Sequence, residues 1–123
     1  MYKRQGQGGL FSTNSANNGG VSAASLNGPQ SVALDSNSNL YVADTYNNRV
    51  LFYPSGSTTA TQVYGQGGSF TTSTANNGGV SATSLNNPYG VALDSGGNLY
   101  VADYNNNRVL FYPPCLLYTS RCV

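Results

Sequence analysis

The 123-residue sequence contains no histidine and no tryptophan, and only 7% of it is charged. Without histidine, Ser-His-Asp and Cys-His nucleophile arrangements and histidine-ligated metal sites cannot be assembled from this chain alone. Its apolar runs are short. None approaches the ~20 residues that a helix needs to cross a bilayer, so no membrane span is expected. Cysteine is confined to Cys115 and Cys122. A disulfide between them is one reading and foreign or free thiols the other, the second being expected. What the chain has in quantity is glycine, 15 residues, and tyrosine, 10 residues, with Asn, Ser and Thr crowding the stretches between apolar runs. That composition describes one loop-rich, all-β unit.

The residues are organised as a tandem repeat. Gly6 to Pro54 realigns on Gly65 to Pro113 without a gap, with 37 of 49 positions identical. Shared segments include GQGG at Gly6 and Gly65, ANNGGVSA at Ala16 and Ala75, VALD at Val32 and Val91, NLYVAD at Asn39 and Asn98, and NNRVLFYP at Asn47 and Asn106. The likeness stops abruptly at both ends, where residues 1–5 and 114–123 agree at no position with their counterparts 60–64 and 55–64. These ends are expected to be foreign to the repeat, the alternative being degenerate terminal caps. Within residues 6–113 two arginines stand against four aspartates, a net charge of −2.

Within the first copy, β-rich runs begin near Val32, Leu40, Val50 and Thr61, and the links between them are turn sequences such as DSNSN at Asp35 and TYNN at Thr45. Such spacing suits antiparallel strands joined by hairpins. LYVA and VLFY are apolar at every position. Each sheet should therefore be covered on both faces, as four-stranded sheets stacked radially in a β-propeller are. The expected fold is a fragment of such a propeller. It comprises a lead-in loop over 6–28, a complete four-stranded blade over 29–64, an inter-blade loop over 65–87 and most of a second blade over 88–113. LLYT at Leu116 would imitate the missing strand. Ser81 to Leu85 suggests one helical turn inside the loop, and Leu26 and Leu85 are placed to pin each loop onto the blade that follows.

PYGVALDSGGNLYVADYNNNRVLFYP, starting at Pro88, resembles an NHL repeat, and NNGGVSATSLNNP before it resembles the Gly-rich lead-in of bacterial members. The first copy departs slightly from the pattern, with Gln30 and Ser31 where Tyr89 and Gly90 stand in the second, which should weaken its entry turn. The resemblance implies a propeller, typically six-bladed, needing about 354 residues at this repeat length. Some NHL-like propellers are lyases or hydrolases using histidine and a bound metal, and some bind RNA through a basic face. The missing histidine and the −2 core argue against both here.

Asp44 and Asp103, each followed by an arginine at Arg49 and Arg108, are the charges that recur in the second hairpin. They would either ring a ligand-binding mouth, or serve the fold, with Asp accepting backbone N–H groups of the turn and Arg packing between blades against a carboxylate. The structural role is expected, because every blade repeats these residues whatever it binds. Asp35-Ser36-Asn37-Ser38-Asn39 begins like a calcium loop but lacks its glycine and distal glutamate, so a hairpin turn is expected and no metal. GQGG lacks the Lys-Ser or Lys-Thr pair of a phosphate cradle. Tyr41, Tyr53, Tyr100 and Tyr112 are expected in packed faces, and Tyr46, Tyr89 and Tyr104 at turns open to a ligand. The function expected is a non-catalytic binding scaffold without cofactor or nucleic-acid partner, contacting a protein or a glycan, in the extracellular space or envelope of a bacterium. The alternatives are a fragment of a propeller lyase or hydrolase whose catalytic residues lie in missing blades, and a two-blade unit that self-associates into a trimeric ring.

Overall fold

The computed structural model describes residues 4–114. Strands β1 (Pro29–Leu34), β2 (Leu40–Asp44), β3 (Arg49–Tyr53) and β4 (Gln62–Tyr64) form one antiparallel sheet. Strands β5 (Pro88–Leu93), β6 (Leu99–Asp103) and β7 (Arg108–Tyr112) form a second. The complete blade and the three described strands of the next are therefore where the repeat places them. LLYT at Leu116 and the Cys115–Cys122 pair lie outside the described residues, as does the segment that corresponds to β4.

The hairpins close through side chains. Asp35 Oδ1 accepts the N–H groups of Asn37 and Asn39, both at 2.9 Å, and Asp94 Oδ1 accepts those of Gly96 and Asn98, both at 3.0 Å. The calcium-like segment is thus a hairpin turn whose carboxylate is used by its own backbone. Hydrogen bonds from Asn98, then from the Tyr100 hydroxyl and Gly96, hold the Asp94 carboxyl below its ordinary value. At the opposite end of the blades, 3-10 turns at Thr45–Asn47 and Tyr104–Asn106 end on Asn48 and Asn107, with φ of 56° and 55°. Asparagine enters this left-handed region more readily than most residues.

Strand register sorts the side chains onto two faces. Val32, Val42, Leu51 and Val63 lie in one row, and Ser31, Ala43, Val50 and Tyr64 in an adjacent row pointing the other way. The first face of sheet 1 forms a core of Val42, Leu51, Tyr53, Ala60 and Val63, covered in part by Leu26 and Phe70. Its second face, with Tyr41, Val50 and Tyr64, packs on Leu99, Val101 and Tyr112 of sheet 2. The Tyr64 and Tyr112 ring centroids are 4.9 Å apart in this interface. Sheet 2 uses only the corresponding first face for that contact. Its second face is open, with Val109 at 67% exposure where the equivalent Val50 has 0%.

One expectation is corrected, the place of Tyr100 in a packed face. Apolar residues at every position suit sheets covered on both sides, but a single pair of blades leaves two sheet faces without a partner. In sheet 2 one face is uncovered, and Tyr100 is exposed on it. The physical reason is that a strand's pattern records what the face can pack against, whereas burial needs the neighbouring sheet to be present.

The loops are more ordered than their composition suggests. Leu26 packs into the first-face core of sheet 1, and Leu85 is buried between the two sheets. Gly65 holds Leu85 close, since a Cβ at this residue would lie 3.0 Å from the Asn48 carbonyl oxygen and 3.1 Å from Leu85 Cδ1. Ser81 to Leu85 makes a turn and not the expected helical one. Ser84 Oγ accepts the Ser81 N–H at 2.8 Å, a local side-chain bond that competes with helix formation. Gln7–Gly9 and Gln66–Gly68 form 3-10 turns that composition does not foreshadow. With Gln30 and Ser31 in place of Tyr89 and Gly90, the entry of β1 keeps the geometry of that of β5, with one irregularity between Pro29 and Ser31 and one between Pro88 and Gly90.

Candidate functional site

Asp44 and Arg49 leave β2 and β3 side by side, since the two residues are cross-strand partners. Arg49 Nε donates to Asp44 Oδ2 at 2.7 Å, and both side chains are fully buried. The remaining guanidinium donors reach three loop carbonyls, those of Phe70, Ser22 and Ser25, each at 2.9 Å. Asp44 Oδ1 accepts the Asn27 N–H at 2.7 Å, and Oδ2 also accepts Asn47 Nδ2 at 2.8 Å. Burial raises the Asp44 carboxyl above its ordinary value, against the lowering pull of Asn27, Arg49 and Asn47. With both oxygens engaged and no solvent contact, the carboxylate serves to tie the lead-in loop to the second hairpin.

Asp103 and Arg108 repeat the arrangement at 2.7 Å, with Arg108 donating to the Ser81 and Ser84 carbonyls. Here the arginine is partly exposed, because no further loop among the described residues covers it. Each knot is extended by a reciprocal amide pair. Asn17 and Asn47 exchange bonds of 2.8 and 2.7 Å, and Asn76 and Asn106 exchange bonds of 2.9 and 2.7 Å. Sequence reasoning passed over these asparagines, although their presence at one position in both copies was the available signal.

A second polar device joins successive repeats. Gln66 Nε2 donates to the Asn48 and Thr74 carbonyls at 3.0 and 2.7 Å, and more distantly to that of Asn47, while Gln66 Oε1 accepts from Thr72 and Thr74. Asn48 Nδ2 donates to the Ser73 carbonyl at 2.9 Å, and Asn48 Oδ1 accepts the Asn87 N–H at 2.7 Å. GQGG at Gly65 is therefore a clamp onto the preceding hairpin.

The three tyrosines singled out as ligand candidates share the end of the blades that carries the 3-10 turns. Tyr46, Tyr89 and Tyr104 have exposures of 52%, 37% and 64%. Tyr89 lies within β5 and not in a turn. Its ring meets Tyr104 edge to face, with centroids 4.9 Å apart. Tyr46 follows Thr45, whose hydroxyl donates to the Pro88 carbonyl at 2.6 Å, so Tyr46 and Tyr89 flank one contact between the blades. Asn105 and Asn86 sit beside them, linked by a backbone bond of 3.1 Å and an amide bond of 3.3 Å. The rim combines aromatic faces with neutral amides. At the other end of the blades, a polar cleft between the hairpin turns is lined by Asp35, Asn37, Tyr41, Phe52 and Gln62.

Two sheets of one strand plan, packed face to face and each tied by the same Asp–Asn–Arg knot, are successive blades of a β-propeller. Residues 26–52 and 85–111 each match the NHL repeat family model, one match in each blade. The protein is an NHL-repeat chain carrying two repeats. No curated protein matches the chain.

Proposed function

We propose that the chain is a non-catalytic binding module whose rim of Tyr46, Tyr89 and Tyr104 receives a neutral glycan. NHL blades supply a binding or scaffold framework, and the rim supplies the contact. The observation that carries this reading is the solvent-open Tyr89–Tyr104 pair with Asn86 and Asn105 beside it. Aromatic faces stack on the apolar C–H faces of a sugar ring while amides bond its hydroxyls, and a tyrosine offers both functions in one side chain. The recurring aspartates and arginines are committed to the fold, which supports a role without acid–base chemistry. Low charge, a core without cysteine and Asn/Ser/Thr/Gly-rich loops support a place outside the cytoplasm, in the bacterial envelope or beyond it.

The test is a titration of the chain with a panel of neutral oligosaccharides, followed by tyrosine fluorescence, a clean reporter in a protein without tryptophan. At least one member of the panel should bind, and Tyr89→Ala with Tyr104→Ala should weaken that binding more than tenfold, about 1.4 kcal/mol or more. Undiminished binding by the double variant, or no binding of any member, overturns the glycan reading. A peptide that binds in place of the sugars, with the same dependence on Tyr89 and Tyr104, would keep the rim and change its ligand.

A further inference from the structure

We propose that copies of this chain associate head to tail, the open face of sheet 2 in one copy receiving the β1 face of sheet 1 in the next. The inference is independent of the tyrosine rim and gives the self-associating reading of the sequence its contacts. Within one chain, the second face of sheet 1 receives Val91 and Leu93 of β5 together with the rest of the first face of sheet 2. At the opposite end of the molecule the second face of sheet 2 is open, and the first face of sheet 1 is exposed along β1, its centre at Val42, Leu51 and Val63 being buried by the chain's own loops. Val109 and Phe111 are the counterparts of Val50 and Phe52 and are exposed, and so are Val32 and Leu34, the counterparts of Val91 and Leu93.

The open face is already shaped for its partner. Tyr41 and Phe52, which line the occupied face, stack edge to face at 5.0 Å and 67°. Tyr100 and Phe111 on the open face adopt the same pose, at 5.3 Å and 66°. This ring pair therefore presents on the open face the pose that its twin presents in the occupied one.

The polar seam repeats as well. Gln66 bonds carbonyls of the preceding turn, whereas Gln7 keeps only the bond within its own loop, to Ser15 at 2.7 Å. Gln7 Oε1 is buried without a partner, but its counterpart Gln66 Oε1 is satisfied by Thr72 and Thr74 of its own loop, so the seam concerns the donor Gln7 Nε2 alone. Arg49 donates to the Phe70 carbonyl. The equivalent carbonyl, Phe11, is held at 2.7 Å by Arg4 of the same chain, so a guanidinium already occupies the place where Arg108 of a neighbour would donate. Association exchanges Arg4 for Arg108 and brings Asn106 and Asn107 within reach of Gln7. Three elements depart from the internal pattern: Tyr104 stands where Thr45 donates to Pro88, Gly90 stands where the Ser31 hydroxyl accepts the Val91 N–H, and the segment that corresponds to β4 and Tyr64 lies outside the described residues. A head-to-tail contact has two different faces and propagates until it closes into a ring, so the assembly holds more than two copies.

The experiment is light scattering and native mass spectrometry of the 123-residue chain under reducing conditions, over a wide range of concentration. A closed assembly of one defined mass above the dimer is expected. Val109→Asp and Val32→Asp alter residues exposed in the single copy, so each variant should keep its circular dichroism spectrum and become monomeric. An equimolar mixture of the two has one intact face of each kind, and should form a one-to-one heterodimer. A chain that is monomeric at every concentration overturns the proposal. So does association that survives Val32→Asp while Val109→Asp abolishes it, because a symmetric patch-to-patch contact behaves in that way.

Discussion

Replacing Asp44 with alanine should cost far more than the same change at Asp103, although the two residues occupy the same place in the repeat. At Asp44 the substitution strands a fully buried guanidinium, together with the Asn27 N–H and the Asn47 amide. Removing one partner of a buried ion pair costs about 3–5 kcal/mol, because the remaining charge cannot return to water. Arg108 keeps a quarter of its side chain in solvent and can be rehydrated, so Asp103→Ala should cost about 1.5–3 kcal/mol, in the range of charged hydrogen bonds. The comparison is best made by urea unfolding in a Val32→Asp background, which keeps copies apart so that Arg108 is not covered by a neighbour. Equal losses for the two variants, or a loss below about 1 kcal/mol at Asp44, would refute the argument that burial of the pair sets its weight.

Three further outcomes follow from particular contacts. A Cβ at Gly28, where φ is +62°, would run into the Tyr46 ring, whereas in the second copy Asn87 stands at the place of Gly28 and Asn105 at that of Tyr46. Gly28→Asn should therefore destabilise the chain, and Tyr46→Asn in the same molecule should restore about 0.5–3 kcal/mol of the loss in a double-mutant cycle. Gln66→Leu, which leaves carbonyls of two repeats without their donor, should cost about 1–3 kcal/mol in thermal unfolding, and Gln7→Leu markedly less. Burial raises the phenols of Tyr53 and Tyr64, and that of Tyr112 to about 12, from an ordinary value of 10.0. Their contribution to stability is complete below pH 10 and is lost as pH rises above it. The slope is about 1.4 kcal/mol per pH unit for each phenol, and tyrosinate absorbance of these rings should appear together with loss of the β-sheet signal.

The strands and hairpins were legible in the sequence because both are local. Alternation of apolar runs with Asn/Gly/Asp turns places β1 to β7, and the gapless repeat makes each copy a control for the other. The recurrence of Asp44 and Arg49 was legible for the same reason, but the N–H that Asp44 accepts belongs to Asn27 of the lead-in loop and not to the turn as expected. What escaped was the set of contacts that depend on distant partners. Tyr100 has the sequence environment of Tyr41 and differs only in having no sheet upon it. Gln66 looks like any loop glutamine until the Asn48 carbonyl is brought against it from the preceding hairpin. Tyr104 and Tyr89 are fifteen positions apart, and only the register of β5 on β6 makes them an aromatic pair. The turn at Ser81 is not helical because the Ser84 hydroxyl captures the Ser81 N–H, a local side-chain contact.

The central claim is that the two repeats fold as successive blades packed face to face, and its most direct test is a proton NMR spectrum assigned at the tyrosine rings. The Tyr64 and Tyr112 centroids are 4.9 Å apart across the two sheets, so strong cross-relaxation between their ring protons is expected, with slow exchange of the amides of β2, β3 and β6. Absence of that cross-peak, with rapid exchange throughout β5 to β7, would show that the second repeat does not dock on the first and would contradict the account.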